Sequence, residues 1–196
     1  IGVTGVQTCA LPICHRGPDG EGEWTSPDGR VWLGHTRLSI VDLSPTGAQP
    51  MHDPETGNVI VFNGEIYNHR SLREEMRGAG VKWAGTSDTE TLLVAYRLWG
   101  RAMLRRLKGM YAFVIYDAAT KGVFVARGPT GIKPLYYVRS RGGIRFASEA
   151  RALFDGSRPV YDRQSVSSYL QWGSCPEDGF IFPRTRIVPS GTSMTV

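Results

Sequence analysis

Two hydrophobic rhythms run along this chain. Val59-Ile60-Val61-Phe62 is uninterrupted apolar sequence and predicts a buried strand within residues 58–66, ending at Asn63-Gly64. Residues 31–43 alternate in part and are rich in Val, Leu and Ile, so a strand passing into a turn is expected there. The period then lengthens. Residues 68–79 read as a helix with Asn68 as cap, Leu72 and Met76 on one face, and Gly78 and Gly80 as stops. Ser87 followed three residues later by Glu90 is a capping box for a second helix, which runs to Trp99 and halts at Gly100.

Beyond a short helix over 103–107 the strand rhythm returns. Residues 110–117 and 123–127 flank a turn, and residues 134–139 and 144–148 flank Gly142-Gly143, so two hairpins are expected. A short helix follows over 150–154, and Asp162 caps another over 163–172. Residues 15–24 and 44–53 carry Gly and Pro and read as loops. Strands joined by hairpins, with helices between them, predict an α+β fold of mostly antiparallel sheets and argue against a doubly wound parallel sheet.

Composition narrows the picture. Of the 196 residues 41% are hydrophobic and 21% charged, values of a folded globular domain. No apolar run nears the ~20 residues of a membrane span, so no membrane partner is expected. The net charge of +5 comes from scattered Lys and Arg. The densest group, Arg97, Arg101, Arg105, Arg106 and Lys108, reads as a solvated helical face, and no nucleic-acid partner is expected. Cys9, Cys14 and Cys175 form no CxxC pair, which speaks against a disulfide framework or a metal site and for a cytoplasmic protein.

Residues 1–14 carry no charge and neither periodicity. Thr4 through Ile13 match, codon for codon, a translated sequencing adapter (ACT GGA GTT CAG ACG TGT GCT CTT CCG ATC). The expected organisation is an artefactual leader over 1–14, a domain over 15–158, and a connector over 159–196 that starts after the polar stretch 155–159.

Candidate chemistry centres on three places. An Asn amide and a Gly backbone N–H at a strand end can converge as an oxyanion hole, as Asn63-Gly64 allows; a plain Asn-Gly turn is the alternative. Arg37, inside a predicted strand, can grip a carboxylate through two parallel bonds or sit in an internal salt bridge. Asp88, at a helix start, can hold an ammonium group or merely complement the helix dipole. Together they suit a zwitterionic amino acid with a side-chain carbonyl, but no nucleophile accompanies them.

The ordered segments Arg16-Gly17-Pro18-Asp19-Gly20, Gly34-His35-Thr36-Arg37-Leu38-Ser39-Ile40-Val41-Asp42-Leu43, Gly47-Ala48-Gln49-Pro50-Met51, Asn63-Gly64-Glu65-Ile66-Tyr67-Asn68, Ser87-Asp88-Thr89-Glu90, Gly109-Met110-Tyr111-Ala112-Phe113 and Gly131-Ile132-Lys133-Pro134-Leu135-Tyr136-Tyr137 resemble the class II glutamine amidotransferase domain of glutamine-hydrolysing asparagine synthetases. The resemblance implies an N-terminal-nucleophile αββα sandwich: two mostly antiparallel sheets between helical layers, here missing the first strand and helix. It implies glutamine as substrate, with Arg37, Leu38, Ile40, Asn63, Gly64, Glu65 and Asp88 in the glutamine-binding set and Asn63 and Gly64 as oxyanion hole.

Family members begin with a catalytic Cys whose own amine is the base. Cys14 lies beside the Arg-Gly-Pro-Asp segment without a free amine, so the chain is expected to be inactive as it stands. Gly128-Pro129-Thr130 follows Arg127 where the family usually has an acidic residue, which puts that loop in doubt. No cofactor is expected in this chain. ATP and Mg are expected for a synthetase domain outside it that amidates aspartate, and a homodimer is left open. The alternatives are an amidotransferase acting on a peptide, sugar or cell-wall precursor, and a glutamine-binding relative without hydrolysis. Loss of an inner strand also predicts a loosely packed or poorly soluble chain.

Overall fold

The structure, a computed structural model, describes residues 11–39, 41–154, 160–174, 181–182 and 184–196. Strands β1 (Gly20–Thr25) and β2 (Trp32–Arg37) form an antiparallel pair with Gly20 opposite Arg37. Strands β3 (Met51–His52), β4 (Val59–Ile66), β5 (Gly109–Asp117), β6 (Gly122–Arg127) and β10 (Ser193–Thr195) build a five-stranded sheet in the order β10-β6-β5-β4-β3. Strands β7 (Tyr136–Ser140), β8 (Gly143–Ala147) and β9 (Thr185–Ile187) make a third sheet in the order β8-β7-β9. Every ladder between these strands is antiparallel, as the hairpin spacing predicts.

Strand β5 explains why some of these strands read as unbroken apolar sequence. Its Tyr111, Phe113 and Ile115 face one core, and its Ala112, Val114 and Tyr116 face another. A strand covered on both sides has no polar positions to alternate with. On the first side lie α1 (His69–Glu75) and α2 (Asp88–Trp99), whose Leu72, Leu92, Leu93 and Ala95 pack on Ile60, Phe62, Ile66, Phe113 and Phe124. On the second side Val31 and Leu33 from around β2, and Ile144 and Phe146 from β8, pack on Val59, Ala112, Val114 and Val125. The two small sheets are thus two pieces of one layer facing the five-stranded sheet, giving helix, sheet and sheet in succession. The chain is an α+β sandwich of the expected kind.

Several local expectations are corrected. Residues 15–24 are not all loop: β1 begins at Gly20, with Gly20, Gly22 and Trp24 half-buried and Glu21 and Glu23 exposed. Its alternation is carried by glycine, which a hydrophobicity pattern does not register. The loop over 44–53 contains β3 and a 3-10 turn at Pro45–Gly47. Helix α1 is shorter than 68–79, ending at Glu75 with a 3-10 turn at Arg77–Ala79. Asn68 occupies the N-cap position, but its side chain bonds the Arg106 carbonyl and the Lys108 N–H instead of the helix. The short helices expected over 103–107 and 150–154 are 3-10 turns at Gly100–Arg105 and Ala150–Leu153. Gly100, at φ +53°, ends α2 as expected. Asp162 caps α3 (Arg163–Trp172), accepting from the Ser165 N–H at 2.7 Å.

Candidate functional site

A cavity of about 690 Å³ opens between β2, β4, β5 and β8. Arg37, Leu38, Asn63, Gly64 and Asp88 all line it, although the chain separates them by up to fifty residues. Glu65 does not line it, and Ile40 lies outside the described residues.

The Asn63-Gly64 dipeptide is neither a turn nor a strand end, because β4 continues through it to Ile66 opposite Gly109. The difference lies at the strand's other edge. Strand β3 pairs with β4 at Val59 and Ile60, and from there onward that edge has no neighbouring strand among the described residues. Two side chains serve it instead: Gln49 Oε1 accepts the Phe62 N–H at 2.6 Å, and Asp88 Oδ2 accepts the Ile66 N–H at 2.9 Å. N–H groups two residues apart point to the same edge. The Gly64 N–H therefore lies between those two, directed into the cavity.

The backbone at Gly64 has φ +154°, and a Cβ there would stand 2.2 Å from the Met110 carbonyl oxygen, so only glycine fits. Asn63 alternates to the other face, where its Nδ2 approaches Ser148 Oγ at 3.4 Å. An amide nitrogen and a backbone N–H are thus both available on the cavity wall.

Opposite charges line the same cavity. Arg37 Nη2 donates to the carbonyls of Asp42 at 2.5 Å and Ser44 at 2.9 Å, which orients the guanidinium without a carboxylate partner among the described residues. Asp42 is fixed in turn by Ser44, Thr46 and the Thr86 N–H, and the Ser44 hydroxyl leads in holding its carboxyl well below the usual range. Asp88 opens α2 and is 5% exposed. Burial raises its pKa, while the bond from the Ile66 N–H opposes the rise.

The capping box is half formed. Ser87 Oγ accepts the Glu90 N–H at 3.1 Å, but Glu90 does not reach back. Its carboxylate takes the Ala84 and Gly85 N–H groups and pairs with Arg73 at 3.0 Å. Arg73 also donates to the Ser87 and Gly85 carbonyls and stacks on Trp83, so α1 holds the turn that presents Asp88.

One cavity thus carries an amide, a backbone N–H, a cation and a buried carboxylate, a set that suits an amino acid with a side-chain carbonyl. A family model described as a glutamine amidotransferase domain matches residues 3–196. The chain belongs to that family. It is 36% identical over 185 residues to asparagine synthetase [glutamine-hydrolyzing] 1 of Bacillus subtilis, covering 94% of this chain and 29% of that protein. It is 40% identical over 157 residues to asparagine synthetase B of Escherichia coli, covering 80% of this chain and 27% of that one. Amidase chry2 of Gibberella zeae is 39% identical over 141 residues, 72% of this chain and 21% of its own length. Among solved structures, glutamine phosphoribosylpyrophosphate amidotransferase from Bacillus subtilis superposes with a TM-score of 0.54 at 26% identity, over 63% of this chain and 29% of that one. The chain therefore spans under a third of the length of these curated relatives.

Three further lining residues of this amidotransferase domain lie in segments that carry the resemblance, yet their contacts do not follow from the local sequence. Gln49 sits in what reads as a loop; only the β3–β4 register, continued two residues beyond Met51 opposite Ile60, brings it to Phe62. Thr89 receives the Gln49 amide at 3.3 Å. His35 lines the cavity from β2, and its Nδ1 is buried with no hydrogen-bond partner among the described residues. Burial lowers its pKa to about 4, against a backbone bond at Phe62 that raises it.

The loop after Arg127 has its own solution to the missing acidic residue. Arg127 is 6% exposed and donates to the carbonyls of Lys133 at 3.0 Å, Val188 at 2.8 Å and Gly131 at 2.5 Å. Three carbonyls in place of a carboxylate hold this loop. Elsewhere, Arg97 pairs with Asp53 and Glu55, and Arg106 with Glu75 while stacking on Trp99, so the basic group around α2 is largely engaged. No helix among the described residues is long and apolar enough to cross a membrane.

Proposed function

We propose that the cavity binds glutamine and that the domain is the glutaminase half of an asparagine synthetase. Arg37 takes the α-carboxylate through Nη1 and Nε, Asp88 the α-ammonium, and Asn63 Nδ2 with the Gly64 N–H the side-chain carbonyl oxygen. The observation that carries this reading is one cavity lined by the Asn63 amide, Gly64, the Arg37 cation and the buried Asp88 carboxylate. Such donors stabilise negative charge as it develops on an amide oxygen under attack. The ammonia released would serve a domain beyond this chain that amidates aspartate with ATP and Mg.

The 196-residue chain by itself is expected to bind glutamine without hydrolysing it, since Cys9, Cys14 and Cys175 each carry an acylated nitrogen and none offers the amine–thiol pair. Calorimetric titration with L-glutamine tests the site. Asp88→Asn preserves an acceptor for the Ile66 N–H yet removes the charge, and is expected to weaken binding at least ~10-fold, or ~1.4 kcal/mol. Unchanged affinity would remove Asp88 from the site, and ammonia release above a heat-killed control would overturn the expected inactivity. The likeness to amidase chry2 favours one second reading, an amidotransferase with a different acceptor, which identifying the amide product of the longer parent protein would decide.

A further inference from the structure

We propose that Gln49 is a positioning residue that fixes the distance between the two ends of the amino-acid site, and with it the length of side-chain amide the cavity accepts. The inference rests on the glutamine reading above. Gln49 holds a different element at each end of its amide. Its Oε1 accepts the Phe62 N–H of β4 at 2.6 Å, and its Nε2 donates to Thr89 Oγ1 of α2 at 3.3 Å. Phe62 stands two residues before Gly64, and Thr89 stands next to Asp88. A second tie joins the same two elements, the bond from the Ile66 N–H to Asp88 Oδ2 at 2.9 Å. The stretch from Phe62 to Ile66 and the first turn of α2 are therefore fastened at two places, with the Gly64 N–H midway between them.

The two ties differ in kind. Asp88 is charged and lines the cavity, so a bound ammonium competes with the Ile66 N–H for its carboxylate. Gln49 is neutral, and it keeps α2 against β4 when Asp88 turns to the ligand. Its surroundings suit that work. Phe62 and Thr89 are each 4% exposed, so water does not readily replace either bond. The main chain of Gln49 is held too: β1 lies so close that a Cβ on Gly22 would run into the Gln49 carbonyl oxygen. The spacing also has a length. N–H groups two residues apart on a strand are ~6.8 Å apart, which sets the Gly64 donor that far from the N–H where Asp88 is held. An extended glutamine separates its α-nitrogen from its side-chain oxygen by about 6 Å, and asparagine by about 5 Å. The five-carbon amide reaches from one end to the other, and the four-carbon amide falls short. The discrimination lasts only while the spacing is rigid, and the Gln49 bridge supplies that rigidity.

The test compares three ligands on the 196-residue chain by calorimetry. These are L-glutamine, L-asparagine and, by displacement of glutamine, L-norvaline, which keeps the α-groups and lacks the carbonyl. The parent chain should prefer glutamine to asparagine at least ~10-fold, the usual worth of a methylene in a fitted site. Gln49→Met removes both bonds from an unbranched side chain of similar length, and Thr89→Val removes only the α2 end. Each should narrow the preference to within ~3-fold while norvaline affinity stays as it was. A merely structural loss would weaken all three ligands together and leave the preference intact. That result in Thr89→Val would overturn the proposal, whatever Gln49→Met does. A parent chain that binds glutamine and asparagine equally would overturn it as well, with the glutamine site still standing. A parent chain that binds no glutamine would overturn the reading of the cavity and this inference with it.

Discussion

The two faces of the five-stranded sheet make opposite use of the same strands. Toward α1 and α2, residues such as Ile60, Phe113 and Ile115 meet a continuous helical cover in which Leu72, Leu92 and Met103 are fully buried. Toward the other face, Val59, Ala112 and Val114 meet a layer cut into a pair and a triplet of strands, with a cavity of about 690 Å³ in the cut. The helical side is the more completely enclosed of the two. The divided side is where backbone donors, buried charge and an imidazole nitrogen without a partner among the described residues are found. A binding site needs unsatisfied groups, and a closed core does not tolerate them.

Truncations on the two faces measure that asymmetry most strongly. Leu92→Ala removes a side chain enclosed by helix and sheet, and should cost about 4 kcal/mol in urea unfolding. Leu33→Ala removes an equally buried side chain on the cavity wall, where fewer atoms surround it, and should cost about 2 kcal/mol. Equal losses would mean that the divided side is packed as tightly as the helical one. If the gap leaves that layer loose, unfolding should also be broad, and a sharp cooperative melt of the monomer would refute that expectation.

Arg127 tests whether the divided side has a firm anchor at all. Its guanidinium ties β6 to the loop over 128–133 and to Val188. Arg127→Leu leaves three carbonyls without donors in a buried setting and should destabilise by about 3 kcal/mol. A loss below about 1 kcal/mol would show that the loop does not depend on this side chain.

Legibility in the sequence followed the same division. The helical side was readable because its signals are local: the apolar run of β4, the Leu72 and Met76 spacing, and the Ser87 cap all act within one element. Arg37, Asn63, Gly64 and Asp88 were readable as chemistry, and the fold brings them to one cavity. What escaped depends on register between distant segments. Strand β1 hides its alternation in glycines, and β9 and β10 are three-residue strands defined by their partners alone. Gln49 reaches Phe62 through a pairing that no local pattern encodes. Glu65 enters the glutamine-binding set through the resemblance, yet it does not line the cavity.

The acid limb of stability should come from the divided side as well. The His35 pKa falls from 6.5 to about 4 on folding, because burial disfavours the imidazolium. The unfolded chain therefore binds this proton first, and the contribution of neutral His35, present above pH 6.5, is lost as the pH falls toward 4. The loss is up to about 3 kcal/mol if the whole shift is expressed. Asp88 runs the other way: its raised pKa makes its contribution greatest below pH 3.8 and lost as the pH rises through the folded value. Stability of His35→Leu measured from pH 7 to 4 should be flatter than that of the parent chain. An unchanged slope would assign the acid limb to other groups.

The smallest expected effect links the two faces. Helix α2 packs on the closed side but begins at the cavity, and its first turn carries Asp88. Ser87 Oγ accepts the Glu90 N–H there, and Ser87 is 3% exposed, so water cannot readily replace the lost acceptor. Ser87→Ala should cost about 1 kcal/mol, the usual value of an N-cap. The helix would not melt, because Arg73 still binds the Ser87 carbonyl and Glu90 still holds the Ala84 and Gly85 N–H groups. What should loosen is the first turn, and with it the hold of Asp88 on the Ile66 N–H. Hydrogen exchange at Ile66 and Glu90 should therefore quicken more than exchange at Leu93 or Ala95 in the same helix. Uniform acceleration along α2 would mean that the cap serves the helix as a whole, and that presentation of Asp88 rests on the closed core rather than on this turn.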